Sequence, residues 1–283
     1  MKKNSLFFVL LTLLLNSSVN AQKNKADSAK SDKKSSYFKL ATSYLTNAVY
    51  NGRKDSVTLP YITPSLGYYD KSGFYISGAL SYLSSSSNSR IDLFSLTTGY
   101  DFKLSDKVSS GIYASKDFYN NTSTAVRSET TGSLGGNISY DPGFISVNGG
   151  INVLFSSQTD VSLDGSVAHS FSLGEEGNEW NITPTVAVNL GTQNYYQDYF
   201  QNRGKKKNGN SGTVQVQQNK FGILDYELSL PVSYDATKWG LYLTPTYAIP
   251  QNPISVTAPG GNTFVSQKLE NVFYAQFGVY IKF

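Results

Sequence analysis

The chain has 283 residues, a formal charge of +4, one His, no Cys, and 14% aromatic residues, mostly 21 Tyr and 16 Phe. The absence of Cys excludes disulfides, thiolate metal sites and a lipidated Cys, and a single His leaves zinc almost without ligands. No cofactor is expected.

The positive charge sits at the start of the chain. Lys2 and Lys3 precede an apolar run from Leu6 to Leu15, and Val19-Asn20-Ala21 offers a small-residue cleavage site. Residues 1–21 therefore read as a secretory signal peptide, too short to span a bilayer as a helix. Gln22 to Ser35 follows with five Lys against two Asp and reads as a disordered periplasmic tether. The remainder holds 17 basic and 18 acidic residues. That near-neutral body has no electrostatic footprint for nucleic acid.

From residue 36 to residue 283 the chain repeats one pattern, a strand-like run followed by a punctuating cluster. Six strands are expected near Tyr37–Tyr50, Thr58–Tyr69, Phe74–Leu83, Ile91–Leu104, Val108–Tyr119 and Thr130–Tyr140. Six more fall near Phe144–Phe155, Val161–Leu173, Glu179–Leu190, Gly222–Tyr234, Trp239–Ile249 and Leu269–Phe283. Most reach the roughly 9–11 tilted residues that cross a bilayer. Where the alternation is clear, Trp180, Ile182, Val186, Val188 and Leu190 share one face with Leu224, Tyr226, Leu228, Leu230 and Val232. The polar set, with Asn189, Asp225, Glu227, Thr244 and Thr246, takes the other.

The connections alternate in length. Asp70 to Gly73, Ser105 to Lys107, Asp141 to Gly143, Gly174 to Asn178 and Asp235 to Thr237 are short and rich in turn residues. Asn120 to Arg127, Gly191 to Phe221 and Gln251 to Lys268 are longer and polar. Tyr69, Tyr140 and Tyr234 each precede the Asp of a short turn, and Trp180 and Trp239 open the strands after two of them. Rings sorted to one end of the hairpins suit a headgroup belt. Thr63-Pro64-Ser65, Thr183-Pro184-Thr185 and Thr244-Pro245-Thr246 lie inside strands, where proline implies a bulge or kink.

The closing segment decides which face meets lipid. Phe273, Ala275, Phe277, Val279, Ile281 and Phe283 alternate with Tyr274, Gln276, Gly278, Tyr280 and Lys282. Gln276, Gly278, Ile281 and Phe283 resemble the C-terminal assembly signal of bacterial outer-membrane barrels. With the signal peptide, the expected fold is an all-β, transmembrane, antiparallel up-and-down β-barrel of about 12 strands, apolar outside and polar inside. The resemblance implies the outer membrane as location. The implied partners are outer-membrane lipid, surface glycolipid and the barrel assembly machinery.

Catalytic chemistry is thin. Some outer-membrane phospholipases place a His and a Ser two apart on one strand, but here that position beyond His169 is Phe171, and Ser170 points the other way. A nucleophile needs its base within hydrogen-bond reach, so no catalytic residue is assigned. By register the lumen would carry Lys39, Asp101, Asp117, Asp164, Asp225, Glu227 and Lys282, an acidic balance favouring cations or small polar solutes. Asp225 and Glu227 stand out as a pair. The long loop offers Tyr195, Tyr196, Arg203, Lys205, Lys206 and Lys207 as surface-recognition candidates. The expected function is a narrow passive channel; the alternative is a non-conducting barrel that works in adhesion, assembly or envelope scaffolding through its loops.

Overall fold

The computed structural model describes residues 35–54, 57–85, 89–123, 125, 127, 130–175, 177–195, 215–216, 221–253, 255–257, 263–265 and 269–283. The expected signal peptide and nearly all of the expected tether lie outside the described residues. So do Tyr196, Arg203 and Lys205 to Lys207.

Fifteen hydrogen-bonded segments form a closed antiparallel barrel of twelve strands, because three strands are each split in two. In chain order β1 is Tyr37–Leu45, β2 Tyr61–Tyr69, β3 Phe74–Leu83, β4 Arg90–Lys103, β5 Val108–Tyr119 and β6 Gly132–Tyr140. β7 is Ser146–Phe155; β8 is Asp160–Ala168 continued by Phe171–Glu175; β9 is Asn178–Ile182 continued by Thr185–Gly191. β10 is Gly222–Ser229 continued by Val232–Ala236, β11 is Trp239–Pro250 and β12 is Val272–Lys282. Each strand pairs with its sequence neighbours, and β12 returns to β1 with Lys39 opposite Lys282 and Leu45 opposite Gln276. Phe38 and Phe283 exchange backbone hydrogen bonds of 2.8 and 3.1 Å at this seam. Closure leaves no free edge, which a strand in hydrocarbon cannot tolerate.

Period-two alternation sorts side chains as the sequence implies. Phe273, Phe277, Val279, Ile281 and Phe283 are exposed, while Tyr274, Gln276, Gly278 and Tyr280 are buried. Apolar exposure all round the barrel suits a surface solvated by lipid. No helix among the described residues is long and apolar enough to cross a membrane.

Two bulges break the alternation, both near the ends that carry the long loops. On β4 the register against β3 shifts between Ser81 and Tyr82, and Asp92 and Leu93 are both buried. On β10 the register against β9 shifts between Asn189 and Leu190, and Leu224 and Asp225 are both buried. Leu224, expected on the lipid face, is therefore inside. A bulge places two residues against one and re-aims a side chain.

The prolines kink the ladder without a slip. β2–β3 pairing stops at Ile62–Tyr82 and resumes in the same register at Ser65–Ala79, skipping Pro64. β10–β11 pairing likewise resumes across Pro231 and Pro245. The proline carbonyls still accept: His169 N to Pro184 O is 3.2 Å, Thr183 N to Pro231 O 2.8 Å and Leu230 N to Pro245 O 3.1 Å. Each proline withholds only its own donor.

Outside the barrel wall, Val49–Tyr50 and Arg53–Lys54 make a short hairpin in the β1–β2 loop. Gln215–Val216, Ser255–Thr257 and Thr263–Val265 pair as a small sheet at the loop end. The turn end carries an external aromatic cluster. Tyr234 stands between Trp180 and Trp239 with ring centroids 5.1 and 5.3 Å away. Tyr69, by contrast, points inward and stacks between Tyr37 at 5.2 Å and Tyr75 at 5.9 Å.

Candidate functional site

The lumen is the interior that the described strands enclose, and its two ends differ. At the loop end the β1–β2 hairpin folds into the mouth. Leu45, Val49, Leu59, Tyr61, Leu83, Ala248, Val272 and Tyr274 form an apolar cluster inside the barrel there, with Ala48 and Ala125 packed against it. Burying each large apolar side chain contributes about 1.5–3 kcal/mol, so the hairpin is held in the mouth by a miniature core. The loop is tied at its base by Ala48 N to Leu59 O, 2.8 Å, and by Leu59 N to Asn47 Oδ1, 2.9 Å.

Polar groups fasten the hairpin to the wall. Arg53 donates to the carbonyls of Gln251 at 2.6 Å and Asn252 at 2.5 Å, beyond β11. Gly52 has φ +70°, and a Cβ there would lie 2.7 Å from the Asp225 Cβ and 3.0 Å from the Pro250 Cα. Only glycine meets both the left-handed backbone and that close approach. Tyr50 packs edge-on against Tyr195 at 5.3 Å and lies under the Arg127 guanidinium at 5.4 Å. Asn51 donates to the Tyr195 hydroxyl at 3.3 Å.

Five buried acids support this end, each with donors. Asp92 accepts from Tyr61 at 2.5 Å, Ser123 at 2.8 Å and Arg90 at 2.7 Å. Asp117 accepts from Ser95 at 2.6 Å and lies 4.0 Å from Arg127. Asp160 takes Thr192 Oγ1 at 2.7 Å and the amides of Asn194 and Tyr195 at 2.6 and 2.9 Å, which turns the start of the long loop inward. Asp225 accepts from Asn189 at 2.6 Å, and Glu227 from Tyr274 at 3.0 Å. Such partners offset part of the cost of taking a charge out of water, though Asp117 Oδ2 and Asp225 Oδ2 are buried without a hydrogen bond.

The sequence-derived lumen set therefore divides. Asp117, Asp225 and Glu227 are buried at the mouth, 0% exposed in the case of Asp225. Lys39 and Lys282 lie at the β12–β1 seam near the turn end. Their ammonium groups sit 4.3 and 4.8 Å from the centroid of the Tyr280 ring, and the Tyr280 hydroxyl donates to Asp235. Asp101 and Asp164 are partly exposed on the β4–β8 wall. Tyr195, expected at a recognition surface, is fully buried in the mouth. Asp92, Asp160, Arg53 and Arg127 were not expected. Asp92 is hidden by the β4 bulge, and the other three lie at the end of a strand or in loops, where periodicity carries no signal.

His169 and Ser170 do not form a dyad. The His169 Nδ1 meets the Phe144 carbonyl and its ring stands edge-on to Phe171 at 4.4 Å, whereas Ser170 bonds Thr183 at 2.8 Å. Among the described residues no group of three or more His, Cys, Asp or Glu is arranged to hold a metal ion.

No family model matches the chain, and no curated protein matches it in sequence. The chain resembles outer-membrane β-barrel proteins as a class. It is similar to the KdgM porin, with 11% identity, a TM-score of 0.47, and coverage of 87% of this chain and 99% of that one. LpxR from Salmonella typhimurium is similar at 13% identity and a TM-score of 0.48, over 87% of this chain and 100% of its own. An outer membrane channel from Pseudomonas putida F1 is 9% identical, with a TM-score of 0.46, over 91% of this chain and 100% of its own. This likeness transfers no solute, substrate or residue role.

Proposed function

We propose that this protein is a non-enzymatic outer-membrane channel for small polar or cationic solutes, shut at its loop end in the state described. The turn end, which carries both chain ends of the barrel, faces the periplasm in this reading. The observation that supports it most is the contrast within one lumen: a mouth closed by a folded-in hairpin over a wall of partly exposed polar side chains. A barrel braced throughout would have no use for a separate closure. Rings of acids and hydroxyls set cation preference in narrow passages. In the same reading Gln276, Gly278, Ile281 and Phe283 direct insertion by the barrel assembly machinery, and the loop end meets surface glycolipid.

The second reading, a non-conducting barrel acting through its loops, draws on the same sealed mouth. Single-channel recording of the refolded protein in planar bilayers under a salt gradient separates the two. Discrete openings with a cation-selective reversal potential are expected. A correctly folded barrel that stays silent, even when the hairpin is removed, would leave the second reading.

A further inference from the structure

We propose that the inner wall of β4–β8 is a cation-selective vestibule opening toward the turn end, with Asp164 as its selectivity-determining residue. Asp101 stands opposite Gly111, Gly111 opposite Asn137, Asn137 opposite Gly150, and Gly150 opposite Asp164. These five form one row across five strands, alternating a polar side chain with a glycine. Because barrel strands are tilted, such a row climbs obliquely along the wall. Beyond Asp164 it continues through Asn189 to Asp225, under the hairpin.

The glycines give the acids room. A Cβ on Gly150 would lie 2.5 Å from Asp164 Oδ1, and one on Gly111 would lie 2.4 Å from Asp101 Oδ1. Both carboxylates thus lie across the neighbouring strand, along the wall. Asp101, Asn137, Asn148 and Asp164 are partly exposed, unlike the buried acids of the mouth.

Asp164 differs from the other inward acids in its partners. Asp92, Asp117, Asp160, Asp225 and Glu227 all accept hydrogen bonds. Asp164 makes no hydrogen bond or ion pair with any described side chain, and the nearby Asn148 Nδ2 is a buried nitrogen without a hydrogen-bond partner. Among the described residues the inward basic groups lie elsewhere: Arg53, Arg90 and Arg127 at the mouth, Lys39 and Lys282 at the seam. Lys103, at the turn-end rim of this wall, is exposed. A partly desolvated carboxylate with no counter-charge among the described residues attracts a mobile cation and repels an anion. Its consequence for transport rests on the channel reading, but the vestibule itself does not require the mouth to open.

The Cys-free chain permits a test independent of conduction. Ser162 shares the face of Asp164 two residues further toward the mouth, about 6.6 Å on, so a reagent entering from the turn end passes Asp164 to reach it. Ser162→Cys is labelled in the folded protein with a trimethylammonium and with a sulfonate methanethiosulfonate, and the rate ratio is measured. The cationic reagent should react faster, and Asp164→Asn should lower that ratio about five- to tenfold. Asp164→Glu should restore it, and Ser139→Cys, nearer the rim on β6, should respond less.

No labelling of Ser162→Cys in correctly folded barrel would overturn the vestibule. A ratio indifferent to Asp164→Asn would overturn the role of Asp164. If Asp164→Asn does not fold, Asp164→Ser with the same two reagents makes the same distinction. Silent bilayers with charge-selective labelling would remove the channel reading alone. Cation-selective pores with an unchanged ratio would remove this inference alone.

Discussion

Two walls of one lumen obey the same alternation and end in opposite states. On β10–β12 and β1–β3 the inward positions hold Tyr242, Tyr274, Tyr280, Tyr61 and Tyr75, all buried. On β4–β8 they hold mainly Gly, Asn, Ser and Asp, with Gly135, Asn137, Ser139, Asn148 and Gly150 partly exposed. Both walls are polar by pattern, yet side-chain volume separates them. Tyr242 lies flat over Gly278, where a Cβ would come 2.3 Å from its ring, and Tyr280 covers Gly240 in the same way. Rings laid on glycines fill the first wall, and aromatic cover of an unprotected glycine backbone is a recognised stabiliser of strands. Tyr113 is an exception on the second wall: it lies over Gly135 and donates to Asn152, so it too hugs the surface.

The contrast is broken most directly at the mouth. Replacing Val49 to Lys54 with a short Gly-Ser linker removes the hairpin and should raise bilayer conductance by about tenfold or more. An unchanged, silent barrel would mean the filled wall closes the lumen by itself. Arg53→Ala is the milder version. It leaves the Gln251 and Asn252 carbonyls without that donor, costs about 1–3 kcal/mol, and should produce brief openings rather than steady ones.

Packing gives the next test. Leu83, 1% exposed inside the mouth cluster, should lose about 2–5 kcal/mol on Leu83→Ala, since a cavity remains. Ile151→Ala, on the lipid face of the open wall, removes apolar contact without a cavity and should cost about 1–2 kcal/mol. Urea unfolding in lipid vesicles compares the two, and equal losses would contradict a true core in the mouth.

Asp225→Asn with Glu227→Gln sharpens the electrostatic side. Both acids are sequestered, so the pair should shift the reversal potential less than Asp164→Asn alone, while lowering stability by about 1–3 kcal/mol. The smallest effect is at the β2–β3 turn. Ser72 and Ser36 hydrogen-bond the Asp70 carboxylate and hold its pKa below the usual carboxylate range. A depressed folded value means stability present above the unfolded pKa and lost as pH falls through the folded one. The small gap between the protein and Asp70→Ala should therefore persist at neutral pH and close only below about pH 4. A gap that instead closed near pH 6 would point to another group.

The strand count, the pairing order and the two faces of the barrel follow from the sequence, because period-two alternation and turn chemistry are local. Trp180, Leu228, Leu243 and Phe277 all face outward as their spacing requires. The site was less legible. Asp225 and Glu227 read as a pore pair from spacing alone, but Asn189, Tyr274 and Gly52 close over them. Alternation reports which side a residue faces, not what stands opposite it across the lumen. The bulges at Asp92 and Leu224 escape the same reading, since each adds one residue without changing composition.

By itself the sequence determined a twelve-stranded wall, its inside and its outside, through the alternation that a strand imposes on neighbouring side chains. Only the tertiary structure decided that the hairpin folds into the mouth, that Tyr195 and Arg53 pack with it, and that Asp164 stays partly exposed on the wall. Those outcomes depend on loops folding back across the barrel and on ring volume meeting glycine from a neighbouring strand, which are contacts between positions far apart in the chain.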